Sequence, residues 1–139
     1  MEDNLKLENQ LCFPLYVCSK EIIKKYKPFL EKLDLTYTQY IVMMVLWEEE
    51  KINVKGLGEK LFLDSGTLTP LLKKLESKGY IERLRNSKDE RNLDVKITIK
   101  GEELKILAKD IPQQIGKCLN ISDNEAFTLY TILNKMMKK

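Results

Sequence analysis

The sequence predicts a mainly α-helical domain that carries one small β-hairpin. Two observations predict this class. Apolar residues recur at helical spacing along most of the 139 residues, and after Gly79 this spacing changes to one typical of strands, within residues 81–99. The composition, 43% hydrophobic and 32% charged, is typical of a globular protein with its own core, so we expect residues 1–139 to form a single domain.

The first two helices are marked by a proline and by a capping pattern. Residues 13–33 have helical spacing, and Pro14 fits the first turn because a missing N–H is no loss there. Thr36 and Gln39 form a capping-box pattern ahead of the run YIVMMVLW, so a second helix is expected from there to near Glu49. Because that run is apolar almost all round, the second helix should be central and buried.

Two short helices joined by a tight turn come next. Asn53 is a good N-cap for a helix over VKGLGEKLFL, and Asp64 or Ser65 caps the following one, GTLTPLLKKLESKGY, which Gly79 ends. The buried stripe of this second helix follows the i, i+3, i+4, i+7 rule and consists of Leu68, Leu71, Leu72 and Leu75. Such a pair makes a helix-turn-helix.

The spacing changes from helical to alternating after Gly79. Ile81, Arg83 and Arg85 alternate with Glu82 and Leu84, and residues 94–99 alternate polar with apolar side chains, which predicts two strands. The polar stretch RNSKDERNL between them suits a hairpin tip. A helix-turn-helix followed by a basic two-stranded hairpin is a winged helix, and we place it at residues 50–100.

Two further helices are expected after the hairpin. One runs from Gly101 to Asn120 with a kink at Pro112. Its inward side chains are expected to be Leu104, Leu107, Ala108, Ile111 and Ile115. Ser122 and Glu125 form a second capping box, which opens a last helix that continues through Met137.

The apolar stripes of the terminal helices exceed what the winged module can cover. The last helix alone carries Phe127, Tyr130, Leu133, Met136 and Met137. Because a stripe that finds no partner within its own chain can be buried against a second copy, we expect residues 1–35 and 101–139 to be the dimerisation helices of a homodimer.

Positive charge is concentrated in one segment. The net charge is +3, and residues 71–100 hold nine Lys/Arg against five Asp/Glu, a local +4 that leaves −1 for the rest. Such a concentration is a footprint for nucleic acid. A solvated surface of mixed charge is the alternative, and charge alone does not separate the two.

The helix after Asp64 carries the residues that suit DNA. A rotation of about 100° per residue places Gly66, Thr69, Pro70, Lys73, Lys74 and Ser77 opposite its buried stripe. Small and hydroxyl side chains near the start can approach base edges, and lysines further along suit phosphates. The hairpin tip adds Arg85, Lys88 and Arg91, and Asp89 is placed to hold the Arg91 guanidinium.

Several kinds of chemistry are disfavoured by what the sequence lacks. The chain has no histidine and no Cys-x-x-Cys pair, which removes Ser-His and Cys-His nucleophile pairs, imidazole general bases and histidine metal sites. We expect no metal site and no cofactor, and we expect a regulator and not an enzyme. The polar start is no signal peptide, and no apolar run reaches the ~18 residues of a membrane span. We therefore expect a cytoplasmic protein without a membrane partner, whose cysteines are reduced at rest.

The stretch LCFPLY places Cys12 just ahead of the first predicted helix. At that position free backbone N–H groups and the helix dipole favour a thiolate, and phenolic hydroxyls such as those of Tyr26 and Tyr37 can donate to it. The alternative is an inert cysteine that merely packs among apolar neighbours.

The segment DSGTLTPLLKKLESKGYIERLRNSKDERNLDVKITIKG resembles the core of the MarR family, whose hairpin pattern it carries at Asp89, Arg91, Thr98 and Gly101. With NQLCFPLY and KKYKPFLEKLDLTYTQYIVMMVLW, nearly the whole chain is similar to the OhrR branch of thiol-based peroxide sensors. The resemblance implies a dimeric repressor on a palindromic operator in double-stranded DNA, with Arg91 in a minor groove. It also implies that Asp64, Ser65, Thr67 and Thr69 lie near the DNA.

The same resemblance implies the sensor. Cys12 matches the peroxide-sensing cysteine, and Tyr26 and Tyr37 match the tyrosines that hydrogen-bond it across the dimer interface. Cys118 is a candidate for resolving the oxidised thiol of the partner subunit, or is incidental. Cys18 lies about 240° round the helix from Cys12 and is interpreted as structural.

The resulting hypothesis is a regulator that releases its operator when an organic peroxide oxidises Cys12. Three alternatives stay open: a MarR-type regulator released by an aromatic molecule in the cleft between dimer and DNA-binding parts, a thiol peroxidase using Cys12, and a winged helix that binds protein. Release of DNA by such a ligand in excess reductant would favour the first alternative, and steady-state consumption of peroxide would favour the second. Lack of salt-dependent binding to duplex DNA would favour the third.

Overall fold

The structure is a computed structural model that describes residues 2–86 and 89–138, with the side chains of residues 3–85 and 93–138. Two 3-10 turns, Glu2–Leu5 and Leu7–Asn9, precede the first helix. The helices are α1 (Cys12–Glu31), α2 (Tyr37–Glu49), α3 (Val54–Leu61), α4 (Ser65–Ser77), α5 (Ile99–Ala108), α6 (Ile111–Cys118) and α7 (Asp123–Met137). The strands are β1 (Lys51–Asn53), β2 (Ile81–Asn86) and β3 (Asp89–Ile97).

The core is built around α2, as predicted from its apolar run. Val42, Met43 and Leu46 have no exposed surface, and they belong to one cluster with the inward leucines of α4. The predicted capping box is present, because Thr36 Oγ1 accepts from the Gln39 N–H (3.3 Å) and Gln39 Oε1 accepts from the Thr36 N–H (3.0 Å). The prediction that this helix ends near Glu49 is confirmed.

The helix-turn-helix is also confirmed. The Asn53 side chain caps α3, which ends at Leu61. The next residue, Phe62, has a φ of 58°, which lets the chain turn sharply toward α4. Gly79, at φ 82°, ends the helical path after α4 and leads into β2. Glycine suits this position because it adopts positive φ without the steric cost that a side chain brings.

The sheet has three strands in the order β1-β3-β2, not the two that were predicted. β1 pairs antiparallel with β3, with Ile52 opposite Val95. A strand of three residues is too short to show alternation, so the sequence pattern missed it. The predicted hairpin tip is also shorter than expected, because β2 continues to Asn86 and β3 begins at Asp89.

The segment after the sheet corrects two predictions. Residues 101–120 form no single kinked helix: α5 ends at Ala108, and Pro112 lies in the first turn of a separate helix, α6, where its missing N–H leaves no partner unpaired. Leu107, predicted to point inward, is 64% exposed, whereas the other four predicted inward residues are buried. Ile99, predicted at the end of a strand, begins α5.

The junction between β3 and α5 is unusually close to β2. Thr98 Oγ1 donates to the Gly79 carbonyl (2.6 Å) and accepts from the Gly101 N–H (3.1 Å), which caps α5. A Cβ on Gly101 would overlap the Tyr80 carbonyl oxygen and lie 2.8 Å from Ile97 Cγ1. The Trp47 indole N–H donates to the Gly101 carbonyl (2.9 Å), so this point also fixes α2.

Large apolar side chains remain exposed along the terminal helices. On α7, Phe127 is 73% and Tyr130 68% exposed, and Ile106 on α5 is 73% exposed. The second predicted capping box, Ser122 with Glu125, opens α7 as expected. Within the part of the chain that the structure describes, no helix is long and apolar enough to cross a membrane.

Candidate nucleic-acid interface and thiol site

One face of α4 is exposed along its whole length. The exposed side of the helix consists of Ser65, Gly66, Thr67, Thr69, Pro70, Lys73, Lys74 and Ser77. The opposite side is the predicted leucine stripe, which is buried. Hydroxyl and small residues therefore precede lysines along one solvent-facing ridge. This order suits DNA, since the small residues can approach base edges and the lysines can contact phosphates.

Asp64, predicted near DNA, has a structural role at the start of this ridge. Its Oδ1 accepts from the Thr67 N–H (2.7 Å) and caps α4. That hydrogen bond holds the pKa of the Asp64 carboxyl below its usual range. The carboxylate consequently stays ionised at neutral pH and orients the first turn of α4.

An ion pair that sequence reasoning missed ties α4 to the sheet. Glu76 Oε2 accepts from the Arg83 backbone N–H (3.1 Å), and its Oε1 accepts from Nε (3.1 Å) and Nη2 (2.9 Å) of the same arginine. These bonds lower the pKa of the Glu76 carboxyl. Arg83, part of the basic segment, is thus turned toward α4; the seven-residue spacing across the Gly79 turn was the available signal.

Replacing Glu76 with glutamine should lower the free energy of unfolding at neutral pH, because the variant lacks the carboxylate that pairs with Arg83. Because the folded-state pKa of Glu76 lies below its ordinary value of 4.5, the contribution is fully present above that value and is lost as the pH falls through the folded value. E76Q should therefore unfold at lower urea concentration than the wild type at about pH 6.5, and the difference should shrink toward about pH 3. Glu103→Gln is the control, because the Glu103 side chain is exposed on α5. An E76Q deficit that is equal at both pH values would contradict the expectation.

The predicted wing residues are only partly described. Arg85 is exposed on β2. Asp89 and Arg91 lie in β3, but their side chains fall outside the described residues, as does Lys88 entirely. The contacts predicted for these three residues remain predictions.

Cys12 is the first residue of α1 and is exposed. Its position matches the predicted site at a helix N-terminus, where the first N–H groups lack partners within the helix. Cys18 and Cys118 are also exposed, the latter as the last residue of α6. Cys18, interpreted as structural, thus lies outside the core of the single chain.

Tyr26 and Tyr37 are brought together, but away from Cys12. Their ring centroids are 5.0 Å apart, and Tyr40 lies 5.7 Å from Tyr26. Burial first, and then the neighbouring Tyr37 and Tyr40, raise the pKa of the Tyr26 hydroxyl to about 12. Tyr26 stays a protonated hydrogen-bond donor at neutral pH. Cys12 lies 14 residues earlier on the same helix, about 21 Å along its axis.

A cleft that no sequence pattern indicated lies beside this aromatic cluster. It has a volume of about 360 Å³ and runs between α2 and the α5–α6 region. Its lining consists of Tyr40, Met44, Trp47, Glu48, Lys105, Ala108, Lys109 and Pro112. The walls are mainly apolar, and their charged residues are Glu48 and the two lysines, Lys105 and Lys109.

A helix-turn-helix packed on a three-stranded sheet, with an exposed ridge of hydroxyls and lysines, defines a winged-helix DNA-binding protein. Residues 24–106 match the family described as transcriptional regulator SarA/Rot. The chain belongs to the SarA/Rot family of transcriptional regulators. It is 53% identical to the HTH-type transcriptional regulator SarZ of Staphylococcus haemolyticus over 131 residues, covering 94% of this chain and 89% of that protein. It is 50% identical to SarZ of Staphylococcus aureus strain USA300 over 137 residues, covering 99% and 93%.

Solved structures agree with this assignment. Overoxidized AbfR bound to DNA is 33% identical with a TM-score of 0.76 and covers 98% of both chains. A cysteine-to-serine mutant of MarR from E. coli, complexed with operator DNA, is 30% identical, with a TM-score of 0.78 and coverage of 92% and 94%. The MepR–DNA complex of S. aureus, at 23% identity and a TM-score of 0.81, covers 92% and 96% and shows the fold alone. The predicted MarR-like winged-helix fold and DNA-binding regulator class are confirmed.

Proposed function

We propose that this regulator binds a palindromic operator as a homodimer and releases it when Cys12 is oxidised by an organic hydroperoxide. The observation that carries the proposal is the exposed position of Cys12 at the first residue of α1. Free N–H groups and the helix dipole stabilise a thiolate there, and exposure lets an oxidant reach the sulfur.

A second copy of the chain is needed to complete the site. Because about 21 Å of helix separates Cys12 from Tyr26 in one chain, the Tyr26 hydroxyl can reach the sulfur only from a partner. The exposed apolar side chains of α7 and of α5 offer a surface for that partner. In the dimer we assign Tyr26 of the partner subunit and Tyr37 of the partner subunit as donors to the Cys12 thiolate.

The chemistry proceeds in two steps. The thiolate attacks the peroxide, so that an S–O bond forms and the O–O bond breaks, which makes Cys12 a sulfenic acid. The alkoxide that leaves takes a proton from solvent and departs as an alcohol. The thiol of Cys118 of the partner subunit then attacks the Cys12 sulfur and gives up its proton, so that an S–S bond forms and the sulfenic oxygen leaves as water. AbfR has been solved on DNA in reduced and in overoxidized forms, and separately in a disulfide form, which favours a disulfide as the releasing state.

Release follows from geometry. A disulfide withdraws the sulfur from the tyrosine hydroxyls and draws α6 of one chain toward α1 of the other. The two copies of α4 must occupy successive major grooves about 34 Å apart, so a change in their separation removes one of them from its half-site.

Cys12→Ser is the experiment that tests the sensor. The variant should bind the operator as tightly as the wild type, because Cys12 is remote in sequence from α4, and it should keep that affinity after cumene hydroperoxide. Fluorescence anisotropy with a labelled duplex, before and after peroxide and then dithiothreitol, measures both. Wild-type protein should consume about one peroxide per Cys12 without turnover, which separates a sensor from a peroxidase. Peroxide-driven release by C12S would place the switch elsewhere.

The cleft beside Tyr40 and Trp47 favours a second candidate, release by an aromatic acid. Its apolar walls suit an aromatic ring, and Lys105 and Lys109 suit a carboxylate. Release of the duplex by salicylate in excess dithiothreitol, and its loss in Lys105→Gln/Lys109→Gln, would support this function over the redox one.

A further inference from the structure

Lys78 belongs to the basic segment but turns away from the exposed ridge of α4. It caps the C-terminal end of α4, and its side chain is 26% exposed. The Nζ donates to the Asp34 carbonyl (2.6 Å) and to Gln39 Oε1 (3.1 Å), and lies 3.6 Å from Asp34 Oδ1. Three acceptors match the three N–H donors of an ammonium group.

The acceptors of Lys78 lie in the turn between α1 and α2 and in the capping box of α2. Asp34 lies in the turn between α1 and α2 with a φ of 55°. Gln39 is 2% exposed, and the same Oε1 that accepts from Lys78 accepts from the Thr36 N–H in the capping box of α2. The lysine is therefore joined to a hydrogen-bonded corner between α1 and α2.

A second bond follows two residues later. The buried Tyr80 hydroxyl donates to the Leu33 carbonyl (3.3 Å), one residue before Asp34 in the same turn. Lys100 Nζ donates to the Lys78 carbonyl (2.8 Å), which holds the backbone that bears the lysine. The C-terminal end of α4 is thus tied to the α1–α2 corner at two neighbouring points.

We propose that Lys78 is a positioning residue for operator recognition: it fixes the tilt of α4 against the α1–α2 corner and thereby the separation of the two reading helices. The inference about separation rests on the dimer of the proposed function. It assigns Lys78 no phosphate contact, in contrast to the exposed Lys73 and Lys74.

A small tilt of α4 moves its N-terminal end by a distance comparable to the spacing between base pairs. α4 has 13 residues and is about 20 Å long. A tilt of about 10° about its tied end moves the other end, where Ser65 and Thr67 lie, by about 3 Å. That displacement is close to the rise of about 3.4 Å between base pairs. One base pair more or less also rotates a half-site by about 34°. A looser tie at Lys78 should therefore lower, but not remove, the penalty that such a change in half-site spacing brings.

The test compares Lys78→Met with Lys74→Met. The probe is a duplex of about 30 bp, selected from a random library by the wild-type protein, with central spacers of the selected length and one base pair shorter or longer. Anisotropy titrations over a range of KCl concentrations give the salt slope and the spacer penalty for each variant. Lys78→Arg, which keeps the donors, and Tyr80→Phe, which removes only one hydrogen bond, are the companion variants.

We expect K78M to keep the wild-type salt slope while its spacer penalty falls from about tenfold to about twofold, with K78R restoring the penalty. Y80F should lower the penalty partly, and it keeps the inference testable if K78M does not fold. K74M should lower the slope by about 2 per dimer and leave the penalty unchanged. If the salt slope of K78M is as low as that of K74M, or if K78M keeps the wild-type spacer penalty, the inference about Lys78 is overturned and the dimer proposal is not affected. A wild-type protein without spacer preference would overturn the dimer proposal and this inference together.

Discussion

Replacing Gly101 with alanine is expected to lower the free energy of unfolding by about 3 kcal/mol. The new Cβ would overlap the Tyr80 carbonyl oxygen and lie 2.8 Å from Ile97 Cγ1. Neither neighbour can retreat easily, because that oxygen accepts from the Thr98 N–H (3.1 Å) and Ile97 is buried in the core. The first turn of α5 would have to move away from β2, which also strains the bond from Trp47.

Urea denaturation followed by circular dichroism measures this effect. Gly116→Ala is the matched control, since a Cβ there meets no atom within 4 Å and alanine favours the α6 helix. We expect G116A to be as stable as the wild type or slightly more stable. Equal stability of G101A and G116A would show that the close approach of α5 and β2 is not maintained.

The double variant Lys73→Gln/Lys74→Gln is expected to lose about 10³-fold or more in duplex affinity at about 0.1 M salt. In the proposed homodimer, two lysines on each α4 make four. If each neutralises one phosphate, the slope of log affinity against log salt falls by about 3.6, and that change alone accounts for the loss. Unfolding should be little affected, because both side chains are exposed.

The control for this variant is Lys117→Gln/Lys135→Gln, which removes the same charge from α6 and α7. It should keep both the affinity and the salt slope within about twofold of the wild type. If both double variants lose affinity equally, the net charge of the chain drives binding and α4 has no special part in it.

Local chemistry explains which elements the sequence could predict. α2 and α4 begin where Thr36 and Asp64 cap them, since an N-cap acts within three residues of itself. β1 could not be predicted, because three residues carry no period and their pairing with β3 is set by a segment over forty residues away. The kink predicted at Pro112 was wrong, because the sequence does not say whether the chain restarts a helix at a proline or continues through it.

The same distinction applies to the candidate site. The exposed ridge of α4 was predictable because a buried leucine stripe fixes the opposite face of a helix. The directions of Lys78 and Arg83 were not, since both are basic residues in a basic segment and only the fold places Asp34 and Glu76 beside them. The closeness of Tyr26 to Tyr37 also depends on how α1 packs on α2.

The position of Trp47 gives the chain an optical probe. It is the only tryptophan, and its ring lies 6.2 Å from that of Tyr40, which in turn lies beside Tyr26 and Tyr37. Its indole N–H donates to the first turn of α5. Light absorbed by the tyrosines at such distances is passed to the indole, so the emission spectrum samples three helices at once. A rearrangement of α1 or α5 relative to α2 can therefore be followed in solution without attaching a dye.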